Sequence, residues 1–142
     1  MMKRTLARST LATLAICLLS AAGSASDAQE KAALQSARAW LAVVDSGDYV
    51  QSWKSSASYF RTAVTQAQWN QSLEGIRRPL GNVLTRELKA ATYATELPGA
   101  PDGEYVVIQF NTTFENKRIA VETVTPMLED DGSWRVAGYF IN

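Results

Sequence analysis

Five polar residues in the last third of the chain could bind a ligand or move a proton: Glu122, Tyr139, Asn111, Gln109 and Arg135. Their carboxylate, phenol, amide and guanidinium groups, held on a rigid sheet, could fix a polar ligand, and Glu122 with Tyr139 could act as an acid and a base. The same residue types are common on the solvated face of an antiparallel sheet. The alternation of polar and apolar residues along the strands does not distinguish a binding site from a solvated face, because both predict the same alternation.

The predicted strand pairing brings these residues into one row. A two-residue turn at Asn116-Lys117 would place Asn111 across from Glu122, and a turn at Asp130-Asp131 would place Glu122 across from Tyr139. Gln109 and Arg135 would lie near that row. The opposite face would then bury one apolar set, which supports both registers: Val106, Ile108, Phe110, Phe114, Met127, Trp134, Val136 and Phe140.

Several residue types that carry common chemistry are absent from the sequence. The chain contains no histidine, and its one cysteine is Cys17. The usual zinc, haem and thiol sites and a histidine general base are therefore excluded in their common forms. Glycine-rich phosphate loops are also missing. We expect no metal and no cofactor.

Two charged clusters have structural explanations. Glu129, Asp130 and Asp131 lack the spacing of a calcium-binding EF-hand loop and are typical of a solvated turn. Arg77 and Arg78 could hold an anion, but cations also stabilise the negative end of a helix dipole. We expect structural roles for both clusters.

The elements that must position these residues divide into helices and then strands. Apolar residues recur at helical spacing in three segments, which predicts three helices beginning near Asp27, Asp48 and Thr65. Each helix contributes one tryptophan to the predicted core: Trp40, Trp53 and Trp69. From Asn82 the period changes to two and predicts four strands, the first of which needs a bulge near Ala90-Ala91. The sequence thus predicts an α+β domain over residues 26–142, with three N-terminal helices packed on a curved four-stranded antiparallel sheet.

The first 25 residues have the order of a secretory signal. Three cations, Lys3, Arg4 and Arg8, precede an apolar run and then small residues, and cleavage is predicted before Ser26. The run is too short for a membrane span, so we expect no integral span in the mature chain. Ile16 before Cys17 argues against a lipoprotein signal. We expect an exported protein, periplasmic rather than fully secreted, with secretion left open.

Loss of those three cations would leave a net charge of −3 on the mature chain. No basic patch then favours nucleic acid or an anionic membrane surface as a partner.

Four segments resemble, in order, the bacterial family known as domain of unknown function 4019: AWLAVVDSGDYVQSWKSSASYF, IRRPLGNVLTREL, LPGAPDGEYVVIQFNTTFENK and AVETVTPMLEDDGSWRVAGYFI. This resemblance implies a small exported bacterial protein without an established activity or catalytic residues. More loosely, the helix ending in DSGDY and the final DGSWRVAGYF resemble the nuclear transport factor 2-like cone fold. That resemblance implies a bent sheet that often encloses a pocket, but not a function.

These observations leave the function open among three classes. The first hypothesis is a non-enzymatic exported domain that binds a small molecule or another envelope protein. The second is a small hydrolase or isomerase that uses Glu122 and Tyr139 as an acid and base pair. The third is an interaction protein whose exposed sheet edge or outer face pairs with a partner or with itself.

Overall fold

The structure, a computed structural model, describes the backbone of residues 21–142 and the side chains of residues 26–142. The predicted signal segment, residues 1–25, thus lies almost wholly outside the described part. In this described part, four helices are followed by four strands. Within the described residues, no helix is both long enough and apolar enough to cross a membrane.

The first helix, α1, spans Ala21–Asp45 within the described residues, so it already contains the predicted start at Asp27. Asp27 therefore lies inside the helix rather than at its cap. The alanines between residues 21 and 33 have a high helix propensity. They favour a helix that continues through Asp27 over one that begins there. The predicted apolar stripe of this helix is confirmed, since its members are all buried: Ala33, Ala37, Trp40 and Val44.

The predicted second helix is two short helices, α2 at Tyr49–Lys54 and α3 at Ser58–Ala63. Asp48 caps α2 as predicted, through its side chain and the Gln51 amide. The hydroxyls of Ser55 and Ser56 then donate to carbonyls one turn back, which competes with regular helix continuation. The amide of Ala57 donates to Val136 O on the last strand at 2.8 Å, and this tertiary bond divides the segment.

The last helix, α4, spans Gln66–Ile76 and begins with the predicted capping box of Thr65 and Gln68. A 3-10 turn over Arg78–Leu80 follows it. Trp69 and Leu73 of α4 are buried, but Ile76, on the same apolar stripe, is 57% exposed. Trp53 of α2 is only partly buried at the margin of the core.

The four strands form an antiparallel sheet in the order β1-β2-β3-β4, with bounds Val83–Ala94, Tyr105–Phe114, Lys117–Leu128 and Trp134–Ile141. The predicted α+β class is confirmed. The bulge predicted in β1 is also confirmed, since the register shifts between Leu88 and Ala90. This bulge lets both Leu88 and Tyr93 lie across from the buried residues of β2, Phe110 and Val106.

The register between β2 and β3 differs from the prediction by one residue. The turn consists of Glu115 and Asn116, so Phe110 lies across from Glu122 and Asn111 across from Val121. The segment after α4 holds this turn, because the Glu115 and Asn116 amides donate to Asn82 O and Leu80 O at 2.9 Å each. A one-residue slip exchanges the faces of a strand. Glu122 is therefore on the buried face, and its predicted pairing with Asn111 is wrong.

The register between β3 and β4 differs from the prediction by one residue near the turn and by two residues after a bulge. The shift of two keeps Glu122 and Tyr139 on the same face. Gly132, with φ of 82°, occupies the third position of a longer turn, and a bulge follows between Thr125 and Pro126. Tyr139 consequently lies across from Val124, and the predicted direct pairing with Glu122 is wrong. Phe140 lies on the outer face, 54% exposed, and was wrongly predicted as core.

Candidate functional site

The carboxylate of Glu122 is the centre of a buried polar network. Its side chain is 0% exposed, although the pleat places it among apolar residues of the inner sheet face. Thr112 Oγ1 on β2 donates to Glu122 Oε1 at 2.5 Å, and Arg86 Nε on β1 donates to the same oxygen at 2.8 Å. The second oxygen, Oε2, accepts from the Tyr139 hydroxyl and, at 3.2 Å, from Arg86. One carboxylate thus joins all four strands.

Arg86 extends this network to the helices. Its guanidinium donates to Asp45 Oδ2 at 2.7 Å and to Oδ1 at 3.0 Å, at the last residue of α1. Arg77, which directly follows α4, donates to Asp45 Oδ1 at 2.6 Å and to Gly81 O at 2.9 Å. The Arg77 guanidinium also lies over the Phe114 ring, 4.5 Å from its centroid. We call the set Tyr139, Glu122, Arg86, Asp45 and Arg77 the charge ladder.

The charge ladder contains two guanidinium groups and two carboxylates, so its charges balance when all four are ionised. Burial alone would raise the pKa of Asp45, but the hydrogen bonds and charges of Arg86 and Arg77 hold it below the usual value of 3.8. Burial would also lower the pKa of Arg86, and its bonds to Asp45 and Glu122 raise it instead. The paired ions therefore offset the cost of their burial.

Burial and the neighbouring Glu122 charge raise the pKa of the Tyr139 phenol far above its ordinary value of 10.0. A phenolate next to a carboxylate would place two like charges in a poorly solvated site. Tyr139 therefore remains the donor in its hydrogen bond to Glu122.

Two tryptophan side chains, Trp40 and Trp69, pack in the interior on the helical side of Tyr139. The Trp40 ring contacts Tyr139 edge to face, with centroids 5.3 Å apart, and Trp69 lies 6.0 Å beyond Trp40. Trp40 Nε1 donates to Ser52 O at 2.9 Å, and Trp69 Nε1 donates to Ser52 Oγ at 2.9 Å. Each indole thus has a polar partner, as buried tryptophans usually do.

A small apolar cleft reaches Tyr139 from the outside, between α4 and the end of β4. We call it the α4–β4 groove; it encloses about 120 Å³. Ile76 and Phe140, the two most exposed apolar residues of the groove, lie at its mouth, and Trp69 and Leu73 are buried within it. The full lining is Trp69, Ser72, Leu73, Ile76, Tyr139, Phe140 and Ile141.

Two larger depressions are more open to solvent. One, of about 220 Å³, lies between α1 and α2 and is lined by Trp40, Val43 and Val136 among others. The other, of about 260 Å³, lies on the outer side of the sheet beside Asn111 and Arg118. Neither is lined by Glu122 or Tyr139, whereas Tyr139 lines the α4–β4 groove and connects it to the charge ladder.

The five residues singled out in the sequence do not form one row. Glu122 and Tyr139 do meet, through a diagonal contact between β3 and β4. Asn111 is exposed on the opposite face, and Gln109 lies two residues from it along β2, across from Thr123. Arg135 contacts its own turn instead, donating to Ser133 Oγ at 3.1 Å and to Asp131 Oδ2 at 3.2 Å. Whether any of the five binds a ligand stays a prediction.

Sequence reasoning missed Arg86, Asp45 and Thr112 as partners of Glu122. One signal was available, since strand alternation places Arg86 on the same face as the two leucines that flank it, Leu84 and Leu88. A lone cation on an apolar face requires a partner. Asp45 gave no comparable signal, because its partners come from segments distant in sequence.

Two carboxylates of the acidic turn near the end of the chain, Glu129 and Asp131, accept hydrogen bonds from other residues of the protein. Glu129 accepts from the Ser58 amide at 2.7 Å and from the Ser58 hydroxyl at 2.8 Å, where α3 begins. Asp131 accepts from Ser133. In the described part of the chain, histidine, cysteine and acidic residues do not form a group of three or more that could hold a metal ion.

Comparison with known proteins supports the resemblance seen in the sequence. No curated protein matches the chain. A family described as "Protein of unknown function (DUF4019)" matches residues 36–139, from the middle of α1 to Tyr139 in β4. Because this match covers most of the chain, the protein belongs to the DUF4019 family.

Proposed function

We propose that this protein is an exported, non-enzymatic binding domain, and that the α4–β4 groove receives an apolar group of its ligand. The observation that carries the proposal is the groove itself: an apolar cleft with two exposed apolar residues, Ile76 and Phe140, at its mouth. Small clefts with mostly apolar walls and few polar groups are typical of binding sites.

The size of the groove limits what it can hold. A whole drug-sized ligand needs a pocket of about 300 Å³ or more, and the groove encloses about 120 Å³. A cavity of about 150 Å³ lined by apolar side chains holds a benzene ring. The groove therefore suits one aromatic or branched aliphatic group, with the rest of the ligand outside.

That group could belong to a small molecule or to another envelope protein. The exposed mouth residues favour the protein partner as a second candidate, because they would lie against whatever surrounds the inserted group. A small molecule would leave Ile76 and Phe140 largely uncovered.

The alternative function, a hydrolase or isomerase that uses Glu122 and Tyr139, receives less support. Glu122 accepts hydrogen bonds from Arg86, Thr112 and Tyr139, and its side chain is fully buried. A general base must reach the proton that it abstracts, and this carboxylate is enclosed by its own partners. Tyr139 reaches the groove, but its raised pKa disfavours the phenolate that a base would need.

Ligand-dependent thermal unfolding tests the proposal. The protein expressed from its full sequence is screened against indoles, benzyl compounds, branched acids and acyl chains. A ligand at a hundred times its dissociation constant should stabilise the folded state by about 2.7 kcal/mol. For ligands that raise the unfolding temperature, Ile76→Asp should abolish the effect, because it puts a charge at the mouth of the groove.

Leu84→Asp is the matched control, since Leu84 is 61% exposed on β1 and does not line the groove. Its ligand response should equal that of the unmodified protein. Equal responses in both variants would place the binding elsewhere and contradict the assignment to the groove. Acyl and benzyl groups presented on short peptides distinguish the two ligand classes.

A further inference from the structure

The two edges of the sheet differ in how they are protected. β1 carries three charged residues within four positions, Arg86, Glu87 and Lys89, next to its bulge. Charges and bulges are the usual means by which edge strands avoid pairing with other chains. From Val136 to Ile141, β4 contains no charged residue and no proline. The free edge of β4 therefore lacks the protection that β1 has.

The first half of the β4 edge is covered by helices. Ser36 of α1 donates to Trp134 O at 2.5 Å, and Ala57 donates to Val136 O at 2.8 Å. These two bonds use carbonyls that point away from β3. Among the described residues, no comparable backbone bond reaches the second half of the β4 edge, residues 138–141.

The backbone groups left at that edge follow from the ladder. Val121 and Asn142 exchange both of their backbone hydrogen bonds at 3.0 Å, and the pairing continues without a shift to Thr125 and Gly138. Residues in antiparallel strands alternate between pairing toward the neighbour and pointing away from it. Tyr139 and Ile141 therefore direct their amides and carbonyls away from β3, to the free edge.

We infer that the free edge of β4 pairs antiparallel with the same edge of a second copy of this chain. In a register centred on Phe140, Tyr139 of each copy lies across from Ile141 of the other. Each of these two pairs exchanges both backbone hydrogen bonds. The interface is isologous, since one segment meets itself about a twofold axis, and the two sheets become one of eight strands.

This register also covers the exposed ring of Phe140. Phe140 of one copy lies across from Phe140 of the second copy, at a pair whose Cα atoms are about 4.5 Å apart. Facing aromatic side chains stabilise a strand pair. Because residues 136–141 carry no charge, the edge of one copy does not repel the edge of the other. A second copy thus pairs the free backbone groups of β4, covers the exposed Phe140 ring and introduces no repulsion between charged side chains.

The twofold axis lies perpendicular to the joined sheet, so both α4–β4 grooves lie on the same sheet face, one on each side of the axis. The dimer goes beyond the proposed function and shares only Phe140 and the flanking Tyr139 and Ile141 with the groove, whose α4 lining takes no part in the strand pair. Failure to dimerise would leave the groove assignment untouched.

Sedimentation velocity of the protein expressed from its full sequence, from nanomolar to high micromolar concentration, tests the inference. A reversible dimer is expected. Phe140→Asp should weaken association at least about tenfold, because like charges directly across a strand pair destabilise it. Ile119→Asp, a matched change at a residue that is 88% exposed on β3, should dimerise like the unmodified protein.

Disulfide trapping covers the case in which Phe140→Asp fails to fold. In a Cys17→Ser background, Phe140→Cys should give a disulfide between two copies at position 140 under mild oxidation, since Cα atoms at such a pair lie within disulfide range. Ile119→Cys in the same background should stay uncrosslinked. A monomer at every concentration, a dimer unaffected by Phe140→Asp, or equal crosslinking at both positions would overturn the inference.

Discussion

Arg86 on β1 reaches across β2 and binds the carboxylate of Glu122 on β3, with Arg86 Nε 2.8 Å from Glu122 Oε1. The same guanidinium binds Asp45 at the end of α1. This one side chain therefore connects the sheet to the helical layer. Both partners hold the position of Arg86, so the charge ladder should act as a single structural unit.

Glu122→Gln should destabilise the fold strongly. The change removes the charge that faces a buried guanidinium, and breaking one partner of a buried ion pair costs about 3–5 kcal/mol. Urea unfolding followed by tryptophan fluorescence measures the free energy of unfolding. Glu87→Gln is the matched control, an exposed residue one position from Arg86, and should change stability by less than about 0.5 kcal/mol. Similar small losses in both variants would contradict a central role for Glu122.

Tyr139→Phe should lower the free energy of unfolding by less, about 1–3 kcal/mol, because Oε2 of the buried Glu122 carboxylate loses one hydrogen bond. The pKa of Tyr139 in the folded protein lies above the unfolded value of 10.0. Its protonated phenol therefore contributes stability below about pH 10, and this contribution falls as the pH rises above that value. Unfolding measured between pH 8 and 11 should show less alkaline loss in Tyr139→Phe than in the control Tyr59→Phe.

Asp45→Asn should make the stability of the protein depend less on pH in the acid range. The pKa of Asp45 is below 3.8 in the folded protein, so the carboxylate contributes stability above pH 3.8 and loses it as the pH falls through the folded value. Thermal unfolding between pH 2.5 and 6 should show a smaller slope in this variant. Asp130→Asn, in the exposed turn before β4, is the control, and an equal change in its slope would refute the assignment.

Substitutions on the two faces of the sheet should differ sharply in cost. Phe110→Ala empties a fully buried position on β2 and should cost about 3–5 kcal/mol. Ile119→Ala removes an 88% exposed side chain and should change stability by less than about 0.5 kcal/mol. Chemical unfolding of both variants checks this contrast, and a large loss in Ile119→Ala would contradict the register between β2 and β3.

Export is tested by the mass of the protein recovered from bacterial cells. Intact mass spectrometry of the periplasmic fraction should show a chain that begins at Ser26, as the signal pattern predicts. Replacing Ala25 by a bulky residue, Ala25→Phe, should block processing and retain the full-length mass. Full-length protein found only in the cytoplasm would contradict the prediction.

Much of the fold follows from local patterns in the sequence. Helical spacing predicted the buried stripe of α1, and capping residues predicted where α2 and α4 begin. Alternation predicted the buried face of β2, and the slip in parity predicted the bulge of β1. These features depend on interactions between residues close in the chain, which a sequence records directly.

The tertiary structure alone decided where Glu122 lies. Its face depends on the turn at Glu115 and Asn116, and the segment after α4 holds that turn through bonds to Leu80 and Asn82. Such bonds join residues more than 30 positions apart, so no local pattern contains them. The sequence by itself determined which residues could do chemistry and that Glu122 and Tyr139 share a face. Long-range contacts decided that this face is the buried one, because a shift of one residue exchanges the two faces of a strand.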